Sequence, residues 1–139
     1  MHRSVCDAWK ANGVIVGIGV DAVDVARMRE VLSRTPSFRV RTFTDEERAY
    51  CEKMNDPTER FAVRFAAKEA VMKAMGLGLG SFGFYDCETV VAESGAPSLV
   101  LRGPALKHAT ARGITDWHVT LTHTAMTAIA MVVAENRSL

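Results

Sequence analysis

The sequence predicts one α+β domain, with helices mostly first and strands mostly last. Three observations predict it. A short β-branched run, Val14 to Val20, reads as a strand. A long helical stretch opens at Pro57 or Thr58 and runs to about Met75. From Cys87 onward, short apolar runs alternate with turn residues.

Residues 1–13 are polar and unpatterned and read as a flexible extension with no assigned function; the domain is residues 14–139. The run Val14-Ile15-Val16-Gly17-Ile18-Gly19-Val20 is continuous and apolar, as for a central strand covered on both faces. Val23 to Leu32 reads as a helix, with Val23, Met28, Val31 and Leu32 as a broken apolar stripe. Thr44-Asp45-Glu46-Glu47 is a capping box that opens another short helix. The long helix ends at Gly76-Leu77-Gly78-Leu79-Gly80. Two strands follow, about Cys87–Glu93 and Ser98–Arg102, joined by a turn at Gly95-Ala96-Pro97. Pro104 suits the first turn of a helix that stops at Gly113. His118–Thr122 and Thr127–Ala134 close the chain as a hairpin.

Composition narrows the function. A length of 139 residues fits one core, and 48% hydrophobic with 24% charged residues is the balance of a globular protein. A net charge of +1 argues against a general nucleic-acid or anionic-membrane binder, so a basic patch must be local. Cys6, Cys51 and Cys87 lie far apart, without metal-ligand spacing, and read as reduced thiols of a cytoplasmic protein. No run approaches the ~20 apolar residues of a membrane span. The start lacks a signal peptide's cleavage site, since Asp21-Ala22-Val23-Asp24 follows the apolar stretch.

Two carboxylates stand out. At 100° per residue, Ala62, Phe65, Ala66 and Met72 lie within about 60° of Glu69, which puts Glu69 inside the long helix's apolar stripe. Lys73 follows one turn later on the same face. A buried carboxylate needs a cation, a proton or a metal, and a Glu69–Lys73 pair is the simplest answer. Asp21 ends the first strand, where it either holds a ligand or caps the following helix. Two carboxylates and little else suit Mg²⁺, which completes its shell with water and substrate phosphates.

These residues belong to a recognisable pattern. Val16-Gly17-Ile18-Gly19-Val20-Asp21, with Arg27 six residues on, resembles the opening signature of holo-acyl-carrier-protein synthases, the small stand-alone 4′-phosphopantetheinyl transferases. Arg64-Phe65-Ala66-Ala67-Lys68-Glu69-Ala70-Val71-Met72-Lys73 matches their F-x-x-K-E-A-x-x-K block, with Gly76-x-Gly78 trailing it. His118-Val119-Thr120-Leu121-Thr122-His123 is similar to the third block. The resemblance covers about Val14 to Ala134 and implies the transferase fold, a long central helix packed on a mostly antiparallel sheet.

It also implies the activity: Mg²⁺-dependent transfer of phosphopantetheine from coenzyme A to a serine of an apo acyl carrier protein. Asp21 and Glu69 would hold Mg²⁺, and Asp21, Glu69 and Lys73 would form the catalytic group. Glu69 is one candidate for the base that takes the serine proton, whose identity stays open. Arg64, Lys73, Gly76, Gly78, Pro97, Thr120 and His123 match coenzyme A-binding positions. Thr120 replaces a common serine, and Ala96 stands where lysine is frequent, which puts one nucleotide contact in doubt. The acidic carrier would dock on Arg27, Met28, Arg34, Phe38 and Arg41, with Met28 and Phe38 exposed between the charges. Family chains of this length form homotrimers with active sites between subunits.

Overall fold

The computed structural model describes residues 13–138, so the expected extension, Gly13 excepted, lies outside the described residues. Among the described residues five strands and five α-helices follow one another in this order: β1 (Val14–Asp24), α1 (Val25–Arg34), α2 (Ser37–Thr42), α3 (Asp45–Cys51), α4 (Thr58–Ala74), β2 (Cys87–Val91), β3 (Pro97–Leu101), α5 (Gly103–Ala111), β4 (Asp116–His123) and β5 (Thr127–Asn136). A three-stranded antiparallel sheet has the order β1-β5-β4, and β2 and β3 form a separate antiparallel pair.

The long helix α4 is the axis of the molecule. Its alanines 62, 66, 67, 70 and 74 are buried, and β1, β5, α1, α3 and β2 pack around it. The inward face of β5, Ala128, Ala130, Val132 and Ala134, lies against α4 and is fully buried. One apolar cluster joins α4 to β5 and α5, and a second joins it to α1 and α3 through Val25, Leu32, Phe43 and Phe61.

β1 packs closely on α4. A Cβ on Gly17 would fall 1.9 Å from the Ala74 carbonyl oxygen, and one on Gly19 would fall 2.0 Å from that of Ala70. Glycines two apart on a strand thus face helix residues four apart, about 6–7 Å in each case. The next inward residue of β1 is Asp21, which this register delivers to the part of α4 that carries Glu69 and Lys73.

Several expectations change. β1 is an edge strand, because among the described residues only β5 pairs with it. Its outward face is exposed at Ile18 and Val20, so within one copy no described element covers the second side of the apolar run. β1 also continues through Val23 and Asp24, and α1 starts two residues later than its apolar pattern suggests. α2 had no sequence forecast. The capping box is present as read: Glu47 N–H donates to Thr44 Oγ1 (3.2 Å) and Thr44 N–H to Glu47 Oε1 (3.0 Å). Among the described residues, no helix is long and apolar enough to cross a membrane.

Candidate active site

Asp24, at the N-terminus of α1, caps that helix, accepting from the N–H groups of Ala26 (2.9 Å) and Arg27 (3.3 Å). Asp21 is therefore free of the capping role. Its side chain is buried against α4, where Lys73 Nζ donates to Asp21 Oδ1 (2.9 Å) and to the Val20 carbonyl (3.1 Å). Lys73 thus pairs with Asp21, not with Glu69. That hydrogen bond pushes the lysine's pKa up.

Asp21 Oδ2 is buried and has no hydrogen-bond partner. Glu69 is its neighbour. Partial burial, then the closeness and negative charge of the Asp21 carboxylate, push the Glu69 carboxyl up from 4.5 to about 7. Two carboxyl groups that meet this way cannot both ionise freely without a cation between them. Glu69 is half-buried, not in the middle of a buried stripe as expected. The reason is that α4 is covered nearly all round, and Glu69 and Lys73 mark its most open side.

Glu69 opens into a cleft of about 540 Å³ lined by Arg27, Met28, Phe38, Phe65 and Leu79. Arg27 is exposed at its edge. Met28 is a correction: it is only 4% exposed, packed among Val25, Leu32 and Phe61, because the face of α1 that bears it turns toward α4. Phe38 is half-buried and packs edge-on against Phe43 at 5.9 Å. The basic cluster is also less free than its sequence neighbours suggest. Arg34 pairs with Glu30 (2.7 Å), Arg29 with Asp56 (3.0 Å) and Arg39 with Glu52 (3.2 Å). Arg41 is exposed on α2.

A second cavity, of about 350 Å³, gathers Arg64, Pro97, Thr120 and His123 with Tyr50 and Arg60. Four predicted nucleotide-binding residues from three elements thus meet at one place. Arg64 is 3% exposed, and its Nε has no partner. His123 Nδ1 is held by Glu59 Oε2 at 2.9 Å. Gly76 and Gly78 lie elsewhere, after α4. Gly76 takes φ +68° there, and its N–H donates to the Lys73 carbonyl (2.9 Å) while Leu77 N–H donates to Met72 (2.9 Å). The two cavities share no lining residue.

Sequence reading missed Tyr50, Arg60 and Lys68. Arg60 had a signal, one turn before Arg64 on the same helix; Tyr50 had none. Lys68, inside the helical motif, is fully buried. Its Nζ donates to Glu47 Oε1 (2.8 Å), the Phe84 carbonyl (2.9 Å) and the Cys87 carbonyl. The capping glutamate is thus also the counterion of the motif lysine. Burial pushes both the Cys51 and Cys87 thiols up to about 12, which favours the thiol over the nucleophilic thiolate.

The sequence model of the 4′-phosphopantetheinyl transferase superfamily matches residues 17–124, a span that includes Asp21, Glu69, Lys73, Arg64 and His123. The chain belongs to this superfamily. It is 48% identical over 122 residues to the holo-[acyl-carrier-protein] synthase of Frankia alni, covering 88% of this chain and 98% of that relative. Among solved structures, the superfamily member from Neisseria meningitidis, a holo-[acyl-carrier-protein] synthase, superposes with a TM-score of 0.79 at 31% identity, over 88% of this chain and 100% of the other. That of Bacillus anthracis, solved in complex with CoA (3′,5′-ADP), superposes with a TM-score of 0.74 at 33% identity, over 88% and 97%. The superfamily's mixed helix and antiparallel-sheet architecture is the one described above.

Proposed function

We propose that the protein transfers the 4′-phosphopantetheine arm of coenzyme A to a serine of an apo acyl carrier protein, releasing adenosine 3′,5′-bisphosphate. The observation that carries this reading is the meeting of Asp21 and Glu69 beside Lys73 at the mouth of a cleft, in a chain of this superfamily. A phosphoryl transfer of this kind needs positioning and charge neutralisation more than covalent chemistry.

The donor set fits Mg²⁺. The orphaned Asp21 Oδ2 and the crowded Glu69 carboxyl call for a cation. Among the described residues no cluster of three or more histidine, cysteine or acidic side chains competes as a metal site. A hard ion with two carboxylates and otherwise water and phosphate ligands suits that geometry. Asp21 and Glu69 would hold it. When bound, Mg²⁺ neutralises the charge that builds on the pyrophosphate as its P–O bond breaks. Lys73 fixes the Asp21 rotamer through Oδ1 and the Val20 carbonyl, and so keeps Oδ2 turned to the site.

The carrier is acidic and approaches along the cleft, with Arg27 at its edge and Phe38, Phe65 and Leu79 on its walls. The enzyme acts as a homotrimer, and two facts support this. The carboxylate group and the Arg64–His123 group line cavities that share no residue, as expected if the two ends of a donor site are completed between copies. The outward face of the sheet is apolar and open, with Ile18 67%, Val20 56% and Met131 49% exposed, as an interface between copies requires. The free, buried Cys51 and Cys87 support a reducing, cytoplasmic setting.

Incubation with coenzyme A, Mg²⁺ and an apo carrier protein tests the reading by mass spectrometry. The carrier serine should gain one phosphopantetheine arm. A carrier of unchanged mass, under conditions where the Frankia alni relative completes the reaction, would overturn it.

A further inference from the structure

Two guanidinium groups lie against one aromatic ring in the second cavity. Arg60 Cζ is 4.3 Å and Arg64 Cζ 4.4 Å from the Tyr50 ring centroid, with Lys53 Nζ at 5.6 Å. Arg60 and Arg64 are four residues apart on α4, a spacing at which like charges repel. The carboxylates nearby are committed elsewhere. Glu47 pairs with Lys68, Glu52 with Arg39 and Glu59 with His123. Glu46 shares a neighbouring depression with Tyr50 and Lys53. Among the described residues, neither Arg60 nor Arg64 forms a salt bridge.

Both forks are pre-set. Arg60 Nη1 donates to the Tyr50 carbonyl (2.8 Å), and Arg64 Nη1 to the Arg60 carbonyl (3.2 Å). Each arginine has further donors free, and the cavity that Arg60, Arg64 and Tyr50 line also holds Thr120 and His123. A paired cationic wall with its rotamers already fixed loses little entropy on closing around a dianion. A phosphate monoester, carrying about −1.5 to −2 at neutral pH, fits it better than a singly charged diester.

We infer that Arg60 and Tyr50 set specificity for the 3′-phosphate of the nucleotide donor, Arg60 as a second phosphate-binding guanidinium beside Arg64 and Tyr50 as the residue that positions both. This rests on coenzyme A as the donor and adds two residues to that reading. The pyrophosphate end of the donor is assigned to Asp21 and Glu69, which leaves the monoester for the wall at Tyr50.

The test measures binding of coenzyme A and dephospho-coenzyme A, which lacks only the 3′-phosphate, together with KM and kcat for each donor. Tyr50→Leu and Arg60→Met should each shrink the wild-type preference for coenzyme A by about five- to tenfold, roughly 1–1.4 kcal/mol. KM should rise for coenzyme A, kcat at saturation should hold, and dephospho-coenzyme A should move less than twofold. Tyr50→Phe keeps the ring and should keep the preference. Equal losses on both donors, or no loss on either, overturn the inference. A wild-type protein that binds both donors without preference overturns it while leaving the transferase reading intact. One that binds neither donor sinks both.

Discussion

Gly19 lies so close to Ala70 that a Cβ on the glycine would fall 2.0 Å from the Ala70 carbonyl oxygen. The obstacle is helix backbone, which cannot swing aside as a side chain can. Gly19→Ala should therefore push β1 away from α4 and destabilise the protein by about 1–3 kcal/mol or more. Because Asp21 follows on the same face of β1, transfer should fall further than the loss of folded protein explains. Urea unfolding and activity per folded molecule check both parts. A Gly19→Ala protein of wild-type stability would show that the close packing is not required.

The buried Lys68–Glu47 pair gives the second prediction. Lys68→Met leaves Glu47 buried at 1% exposure without its cation, which should cost about 3–5 kcal/mol. Glu47 also accepts from the N–H groups of Thr44 and Thr89, so α3 and β2 should loosen together. Lys68→Met combined with Glu47→Gln should lose less than the sum of the single changes. Additive losses in urea unfolding would mean that the two residues do not act as a pair.

The third prediction concerns pH in the absence of metal. The Glu69 carboxyl is raised from 4.5 to about 7 in the folded state, so folding favours its protonated form. The stability it contributes is complete below about pH 4.5 and is lost as pH rises through about 7. With a chelator present, Glu69→Gln should flatten this part of the profile and melt higher than wild type above pH 7. Thermal melts across the window check it. A wild type whose Glu69-dependent stability rises over the same range would contradict the sign.

Much of this was legible in the sequence because it rests on local chemistry. The capping box at Thr44–Glu47, the glycine stop after α4 and the β4–β5 hairpin each follow from residues within a few positions of one another. Asp21 and Glu69 stood out as carboxylates in apolar settings, and the structure brings them together. What was not legible depends on which elements become neighbours. A continuous apolar run could not reveal that β1 is an edge strand whose outward face no other described element of the same copy covers. Nor could the helical stripe reveal that α4 is enclosed nearly all round, which leaves Glu69 on its open side and turns Met28 inward. Tyr50 reaches the second cavity only through the packing of α3 on α4.

Those tertiary pairings also sharpen the docking account. Arg27 stands at the cleft without a salt bridge among the described residues, whereas Arg29 is engaged by Asp56. Arg27→Glu should raise KM for the carrier protein several-fold with little change for coenzyme A, since edge charges act mainly on encounter and orientation. Arg29→Glu should do much less. The effect at Arg27 should fade with salt as the Debye length drops from about 10 Å at 0.1 M to about 3 Å at 1 M. Equal effects at the two positions would move the docking site away from the cleft. Met28→Ala should instead act on stability, costing about 2–5 kcal/mol as a core truncation.

The central claim is that the carboxylate group and the Arg64–His123 group are two halves of one site, completed between copies. Mixing two disabled proteins tests it most directly. Glu69→Gln removes one half, and Arg64→Met with His123→Ala removes the other. Each protein alone should leave an apo carrier unmodified. After the two are unfolded and refolded together, mixed oligomers should restore the phosphopantetheine mass gain on the carrier serine, because some interfaces then pair an intact half from each copy. If mixed oligomers form and the carrier still gains no mass, while wild type treated the same way modifies it, the two groups do not complete one another across an interface.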